Sequence, residues 1–515
     1  MSGRWADAFA RVPTLLAAHV ELCLAALVLA ILVSVPLSIW ASRSERVAGV
    51  VLTIASIVQT IPTLALLALF YPLLLALRSV AGDWLTPLGF LPALMALTLY
   101  ALLPIIRNSV TGIKGVAPAM TEAADGVGMT PWQKLRWVEA PLAAPTIMAG
   151  IRTAAVWTIG IATLATTVGQ TSLGDLIFAG LQTQNFTLVL AGCIASAGLA
   201  LVTDQLLGLI QRGIAQRSRW KIWLALGLIV AGLLAALAPR LIPSGDDRPI
   251  VTVGAKAFTE QYILARVVGI QLERAGYRVE YKEGLGSGVV FKALTTGSVD
   301  AYVDYAGTIW ANEMNREKPI PRDAMREAIA TWVAETYGIK LVGALGFENA
   351  YAIAVRQKEA DGGLRTLDDL ARRSPGLNFG ADLDFLERPE WAQLKAAYPI
   401  RFASLRSYDP TFMYAALASG QVDAISAFTS DGRIAKENFV TLEDPKGVLP
   451  NYDAILMVAP EYADDARFIA ALQPLIGAIN VDLMRRANYM VDRDEDKATP
   501  EEAARWLLAQ TGIEE

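Results

Sequence analysis

Histidine occurs once in 515 residues, at His19, and cysteine twice, at Cys23 and Cys193. A histidine-based catalytic triad and a multi-histidine metal site are therefore excluded within one chain. Beyond Arg240 there is neither cysteine nor histidine, so that half has no disulfide framework and no thiolate metal site. Charged residues make up only 18% of the chain and are unevenly placed. Met1 to Arg240 holds 15 Lys/Arg against 9 Asp/Glu, and Leu241 to Glu515 holds 30 against 41. A basic, apolar half thus precedes an acidic, water-compatible half. Neither has the clustered basic patch of a nucleic-acid binder, so no nucleic acid is expected as partner. His19, near the start of an apolar segment, reads as a packing or interface residue.

What the chain has in abundance is hydrophobic sequence, 54% of all residues with a mean hydropathy of +0.39. Apolar segments long enough to cross a bilayer run near Leu16–Trp40, Val47–Leu69, Leu88–Ile106, Thr146–Val168, Phe186–Ile210 and Ile222–Ala238. The first is too long, and too far into the chain, for a cleavable signal peptide and reads as a retained helix. The second carries Pro62 and runs on towards Pro72, which admits a kink or a re-entrant piece. Lys/Arg follow the first, third and fifth segments, at Arg43 and Arg46, at Arg107 to Arg136, and at Arg212 to Lys221. The loop Gly169 to Asn185 has none. The basic loops are therefore expected to be cytoplasmic, with the N-terminus and everything after Arg240 outside.

Pro239 to Pro249 reads as a linker. Beyond it, strand and helix alternate: strand Ile250–Gly254, helix Thr259–Ala275, strand Tyr277–Lys282, turn Gly284–Gly288, helix Val289–Thr296, strand Ala301–Tyr305. This pattern predicts an α/β domain with mainly parallel strands. The glycine-rich turn has no lysine and no full dinucleotide fingerprint, so it reads as a plain strand–helix connection. Asp382/Asp384 and Asp464-Asp465 read as solvated loop or helix-start charges. No catalytic constellation and no metal-ligand cluster is evident, and the chain is not expected to be an enzyme.

Between the third and fourth segments the chain reads Glu122-Ala123-Ala124-Asp125-Gly126-Val127-Gly128, continuing to Trp132 and Pro141-Leu142. This resembles the EAA loop of ABC-importer permeases, which docks on an ATPase. The resemblance assigns Glu122, Ala123, Ala124 and Gly128 to ATPase coupling, where small residues allow close approach and glycine ends the helix. Gln59 to Leu64 is similar to a segment of osmoprotectant-uptake permeases. The chain has no GxxxxGK[ST] sequence, so ATP is expected to be bound by a partner ABC ATPase subunit, with no cofactor of the chain's own.

In the second half, Lys256-Ala257-Phe258-Thr259-Glu260-Gln261 and Tyr302 to Thr308 resemble binding proteins for glycine betaine, choline and carnitine. Weaker echoes follow at Asn349-Ala350-Tyr351, Asp382 to Arg388, Ser426 to Gly432 and Pro450-Asn451-Tyr452. A quaternary ammonium group has a fixed charge and no N–H donor, so aromatic ring faces must hold it, at about 0.5–2 kcal/mol each. The resemblance implies a cage of Tyr305, Tyr351, Phe428 and Tyr452, with phenylalanine at 428 where many relatives have tyrosine. Lys256, Gln261, Thr308, Asn349 and Arg388 are implied as polar contacts, Arg388 being suited to a carboxylate.

Together these readings predict a multidomain chain. Residues 1–220 form an all-α polytopic permease of the MetI-like type, and 221–249 an extra membrane helix and linker. Residues 250–515 form a bilobal α/β domain of the periplasmic-binding-protein type II, with lobe 1 near 250–351 and 452–515 and lobe 2 near 352–451. The family resemblance implies a homodimer in the inner membrane that imports quaternary ammonium compounds such as glycine betaine or choline. Its binding domain lies on the extracytoplasmic side. Ergothioneine import, or a sensing rather than delivering domain, are the alternatives.

Overall fold

The computed structural model describes residues 2–82, 85–183, 185–241, 248–316, 320–408, 410–493 and 495–513. The Pro239–Pro249 linker lies largely outside the described residues. The chain divides into two compact units: Met1–Leu181 with Phe186–Gly245, and Gln182–Asn185 with Asp246–Glu515.

The first unit is helical. Among the described residues, five helical runs are long and apolar enough to cross a membrane: Val12–Ser42, Phe90–Lys114, Pro131–Val168, Phe186–Ala215 and Arg219–Ala238. The pair Glu45–Thr60 and Thr63–Arg78 makes a sixth if taken as one broken span. Its two pieces meet at 99°, at the proline anticipated to disturb the second segment. Pro62 has no N–H to donate, and Ile61 before it is extended, so the helix ends and restarts. Small residues let the helices approach: Ala18, Ala26, Ala30, Ser34, Ser38 and Ala41 are all buried on Val12–Ser42. His19 is fully buried there, beside Ile159 O at 3.1 Å, and accepts from Leu173 N–H at 3.3 Å.

Among the described residues, the second unit holds two five-stranded sheets. The first comprises β1 (Ile250–Lys256), β2 (Arg278–Leu285), β3 (Ala301–Tyr305), β4 (Lys340–Glu348) and β10 (Asp453–Val458), in the order β2-β1-β3-β10-β4. The second comprises β5 (Tyr351–Arg356), β6 (Asn378–Ala381), β7 (Ser404–Ser407), β8 (Ala424–Phe428) and β9 (Phe439–Thr441), in the order β7-β6-β8-β5-β9. The expectation of mainly parallel strands holds for four of the five strands of each sheet, with β10 and β5 reversed. β1 runs parallel to β2 and β3, but β10 is antiparallel to both β3 and β4. β6 is parallel to β7 and β8, while β5 is antiparallel to β8 and β9. The reason is the return of the chain: β10 comes back from the second sheet and enters the first from the opposite direction. β3 and β10 are buried along their whole length.

The chain passes between the sheets at Asn349-Ala350 and again between β9 and β10. The passages are laced together. Asn349 N–H donates to Tyr452 O (3.0 Å), and Thr429 N–H to Ala350 O (2.9 Å). Ala350 N–H donates to Thr429 Oγ1, whose hydroxyl donates to Glu348 O.

Candidate functional site

All four candidate cage residues lie at strand ends near these passages. Tyr305 ends β3, Tyr351 begins β5, Phe428 ends β8, and Tyr452 precedes β10. Strand register accounts for two close approaches. Tyr351 is paired with Phe428 across β5 and β8, and Tyr305 with Ala454, next but one to Tyr452.

Three of the four rings cluster directly. Tyr351 lies 4.9 Å from Phe428 and 6.2 Å from Tyr452, centroid to centroid. A fourth ring, Phe385, fully buried, sits 4.9 Å from Tyr351. The sequence reading passed over Phe385, although it lies inside the Asp382 to Arg388 stretch. Its signal was an aromatic three residues before the arginine. Gly307 makes room for the cluster: a Cβ there would come within 2.7 Å of the Tyr452 ring.

Arg388 lies over two of these rings, its Cζ 5.4 Å from the Tyr351 centroid and 5.6 Å from that of Tyr452. It is the N-cap of the Pro389–Ala397 helix, so Glu390 in the first turn lies beside it. Arg388 Nη2 donates to Glu390 Oε1 at 3.1 Å and to the Tyr452 hydroxyl at 2.7 Å, and that hydroxyl donates to Glu390. Burial works against both charges. Tyr452 and Glu390 outweigh it and hold Arg388 more firmly protonated, while Arg388 keeps the Glu390 carboxyl below its ordinary value.

Tyr305 has a different set of neighbours. Its ring stacks on Phe258 at 6.2 Å. Its hydroxyl donates to Glu260 (2.6 Å) and accepts from Gln261 Nε2 (3.0 Å). Lys256 Nζ lies 5.3 Å from the Tyr305 centroid and is ion-paired with the buried Asp304. Asp304 also accepts from the Tyr302 hydroxyl at 2.6 Å. Glu260, unremarked as a site residue from sequence, is the hub. It accepts from Tyr305, from Asn349 Nδ2 (3.1 Å) and from Asn488 Nδ2 (2.9 Å). Burial pushes its carboxyl above the ordinary value, against the pull of those bonds and one from Ser430. Asn349 thus joins the Tyr305 side to the Tyr452 side, through its side chain to Glu260 and its N–H to Tyr452 O. Thr308 is buried in the short Ala306–Thr308 turn after β3.

Asp382 starts a helix, accepting from Phe385 N–H at 2.8 Å, but it is buried rather than solvated, and Ser426 Oγ donates to it at 2.9 Å. Asp465 caps the Ala466–Leu472 helix through Arg467 and Phe468 N–H.

In the helical unit, Glu122, Ala123 and Ala124 lie on the Pro118–Gly126 helix, Glu122 and Ala123 exposed and Ala124 buried. Gly128 follows with φ +77°, its N–H to Asp125 O and Met129 N–H to Ala124 O. That is a Schellman ending, which needs the left-handed conformation glycine supplies. Thr130 and Gln133 then form a capping box for the next turn. Lys134 reaches back to Asp125 at 2.8 Å, and the buried Glu139 is held by Arg43 in a double contact of 2.9 and 2.5 Å. The loop is a stiff, tied element with exposed small residues.

Known proteins bear on both units. Residues 28–216 match the family of the binding-protein-dependent transport system inner membrane component. Residues 249–510 match the substrate binding domain of ABC-type glycine betaine transport systems. An ergothioneine transport permease/ergothioneine binding protein of Helicobacter pylori (strain G27) is 31% identical over 502 residues, 94% of this chain and 88% of that one. A choline transport system permease protein of Bacillus subtilis (strain 168) is 43% identical over 194 residues, 38% of this chain and 84% of the relative. Among solved structures, a glycine betaine/carnitine/choline ABC transporter is matched at 24% identity and a TM-score of 0.47, over 51% of this chain and 98% of that one. Both families are transport components rather than enzymes, and the permease match and apolar helices make the chain a multi-pass inner-membrane protein. The fused chain belongs to the ABC importers, as a binding-protein-dependent permease joined to a substrate-binding domain of the glycine betaine type.

Proposed function

We propose that the chain imports quaternary ammonium compounds such as glycine betaine or choline, driven by ATP hydrolysis in a separate subunit. The observation that carries this reading is the cluster of Tyr351, Phe428, Tyr452 and Phe385 with a guanidinium lying over it. Ring faces that already face one cation offer the negative potential a methylated ammonium needs. Arg388 supplies a planar fork for the carboxylate of a betaine. Lys256, Gln261, Thr308 and Asn349 complete the polar wall, with Tyr305 facing from the first sheet.

In this reading residues 1–220 are the permease, 221–249 an added helix and linker, and 250–515 the extracytoplasmic binding domain. Lobes near 250–351 with 452–515, and near 352–451, close on the ligand about the Asn349-Ala350 and Leu449–Tyr452 passages. Glu122, Ala123 and Gly128 meet the ATPase with Ala124 packed behind them, and two copies of the chain build one pore. Ergothioneine is the second reading. It is also a trimethylammonium betaine, and the relative matched over 94% of the chain is named for it.

Calorimetry of residues 250–515 with glycine betaine, choline, carnitine and ergothioneine tests the proposal. Binding of at least one is expected. Tyr351→Ala combined with Tyr452→Ala is expected to weaken it by about 100-fold, the loss of two ring faces. Unchanged affinity in that double variant removes the cage.

A further inference from the structure

The membrane unit carries a second set of opposed charges. Arg152 is the only charged residue of the apolar segment Thr146–Val168, and Asp204 the only one of Phe186–Ile210. By helix rise they lie about 18 Å from Ala140 and about 16 Å from Ala215, deep within their spans. Arg152 Nε donates to Asp204 Oδ1 at 2.8 Å and Nη2 to Oδ2 at 2.7 Å. Nη1 donates to Gln211 Oε1 at 3.0 Å, and Gln211 Nε2 to Pro145 O at 3.1 Å. Gly208 leaves room for the guanidinium, since a Cβ there would stand 3.1 Å from Arg152 Cζ.

This pair is not sealed inside the helix bundle. It lines an open cleft of about 370 Å³ with Thr153, Trp157 and Gln211. The Arg152 and Asp204 side chains keep 33% and 26% of their exposure. On the Ala140–Ala162 helix the other face, with Ala154, Ala155, Thr158 and Ile159, is buried, whereas Thr153, Trp157 and Gly160 are exposed. An ion pair left on a hydrocarbon-facing surface is strongly disfavoured, so this face meets water, ligand or a second copy of the chain rather than acyl chains.

We propose that Arg152, Asp204 and Gln211 form a transit site for a zwitterion inside the translocation path, with Trp157 as an aromatic face beside it. A betaine carries a carboxylate and a fixed cation on one short frame. Arg152 offers its positive charge and the Nη N–H groups not used by Asp204 and Gln211 to the first, and Asp204 and the Trp157 ring offer negative potential to the second. Lying antiparallel to the Arg152–Asp204 pair, such a ligand crosses the apolar span with both charges answered. The inference rests on the reading of the cargo as a betaine.

Two readouts on the full chain, assembled with its ATPase subunit in proteoliposomes, test it. The first needs no ligand. In a Cys193→Ser background, Thr153→Cys is expected to react with a charged, membrane-impermeant thiosulfonate in at least one nucleotide state. Absence of reaction in every state means lipid or a second copy of the chain covers this face, and overturns the proposal. The second uses labelled glycine betaine. Arg152→Gln with Asp204→Asn is expected to keep assembly, ligand binding and ligand-stimulated ATP hydrolysis, while uptake falls at least about tenfold, because bonds to charged groups are lost in transit. The exchange Arg152→Asp with Asp204→Arg keeps a pair but reverses its polarity, and is expected to stay defective. Wild-type uptake in either variant reduces the pair to an interhelical staple. Should glycine betaine fail to bind the wild-type chain at all, the cargo assignment falls, while the thiol readout still decides whether the cleft is aqueous.

Discussion

Two arginine–carboxylate pairs stand in opposite surroundings. In the membrane unit, Arg152–Asp204 joins two helices, and its side chains are 33% and 26% exposed. In the soluble unit, Arg388–Glu390 is local in sequence, is joined by the Tyr452 hydroxyl, and is 11% and 3% exposed. The first pair is left open on one side, whereas aromatic rings close over the second. The energetic consequence differs accordingly. Removing one partner of a buried pair strands the other charge at about 3–5 kcal/mol, whereas a pair open to water contributes about 1 kcal/mol or less.

The largest expected effect tests that contrast. Arg388→Ala strands Glu390, which keeps the Tyr452 hydroxyl as a partner, so destabilisation at the lower end, about 3 kcal/mol, is expected. Arg152→Ala is expected to cost about 1 kcal/mol or less if its cleft is aqueous. Thermal unfolding of both variants, followed by a tryptophan signal in the membrane unit and by ligand-independent calorimetry of the soluble one, compares them. Equal losses would erase the distinction and return Arg152–Asp204 to the bundle interior.

A smaller effect probes how the soluble pair is held. In Gly307→Ala the new methyl would meet the Tyr452 ring at 2.7 Å and drive it off its position. The hydroxyl then leaves Glu390 and Arg388. Overpacking of this kind costs about 1–3 kcal/mol. Ligand affinity is expected to fall in step, and a variant that binds normally would show that Tyr452 acts by packing alone.

How much of this was readable in advance follows the range of each interaction. The apolar helices and the bend at Pro62 are local, and the strand at Ala301–Tyr305 was placed to the residue. The mixed strand direction was not readable, because the partners of β10 lie more than a hundred residues away and only the return path fixes its direction. The candidate rings Tyr351, Phe428 and Tyr452 were nameable only by resemblance, and their contact with Phe385 and Glu390 needed the fold. Glu260 reads as an ordinary first-turn acid, and only tertiary packing makes it a buried hub. Arg152 and Asp204 are the opposite case. Two lone charges of opposite sign in two apolar segments are a signal present in the sequence, and only the fold shows that they meet.

The smallest effect sharpens the comparison from the aromatic side. Phe428 is half-buried, with its ring tilted 41° to that of Tyr351. Phe428→Tyr adds a hydroxyl at the ring edge and leaves the face that attracts a cation nearly unaltered. If the ring lines the ligand space, the hydroxyl reaches ligand or water, stability is unchanged, and affinity moves by less than about tenfold, the range of one neutral hydrogen bond. If the ring is instead packed into the interior, the hydroxyl is left without a partner and the variant loses about 1–3 kcal/mol of stability. A titration and an unfolding curve on the same protein separate these outcomes. A stability loss with unchanged affinity would move Phe428 out of the cage and make it a packing partner of Tyr351.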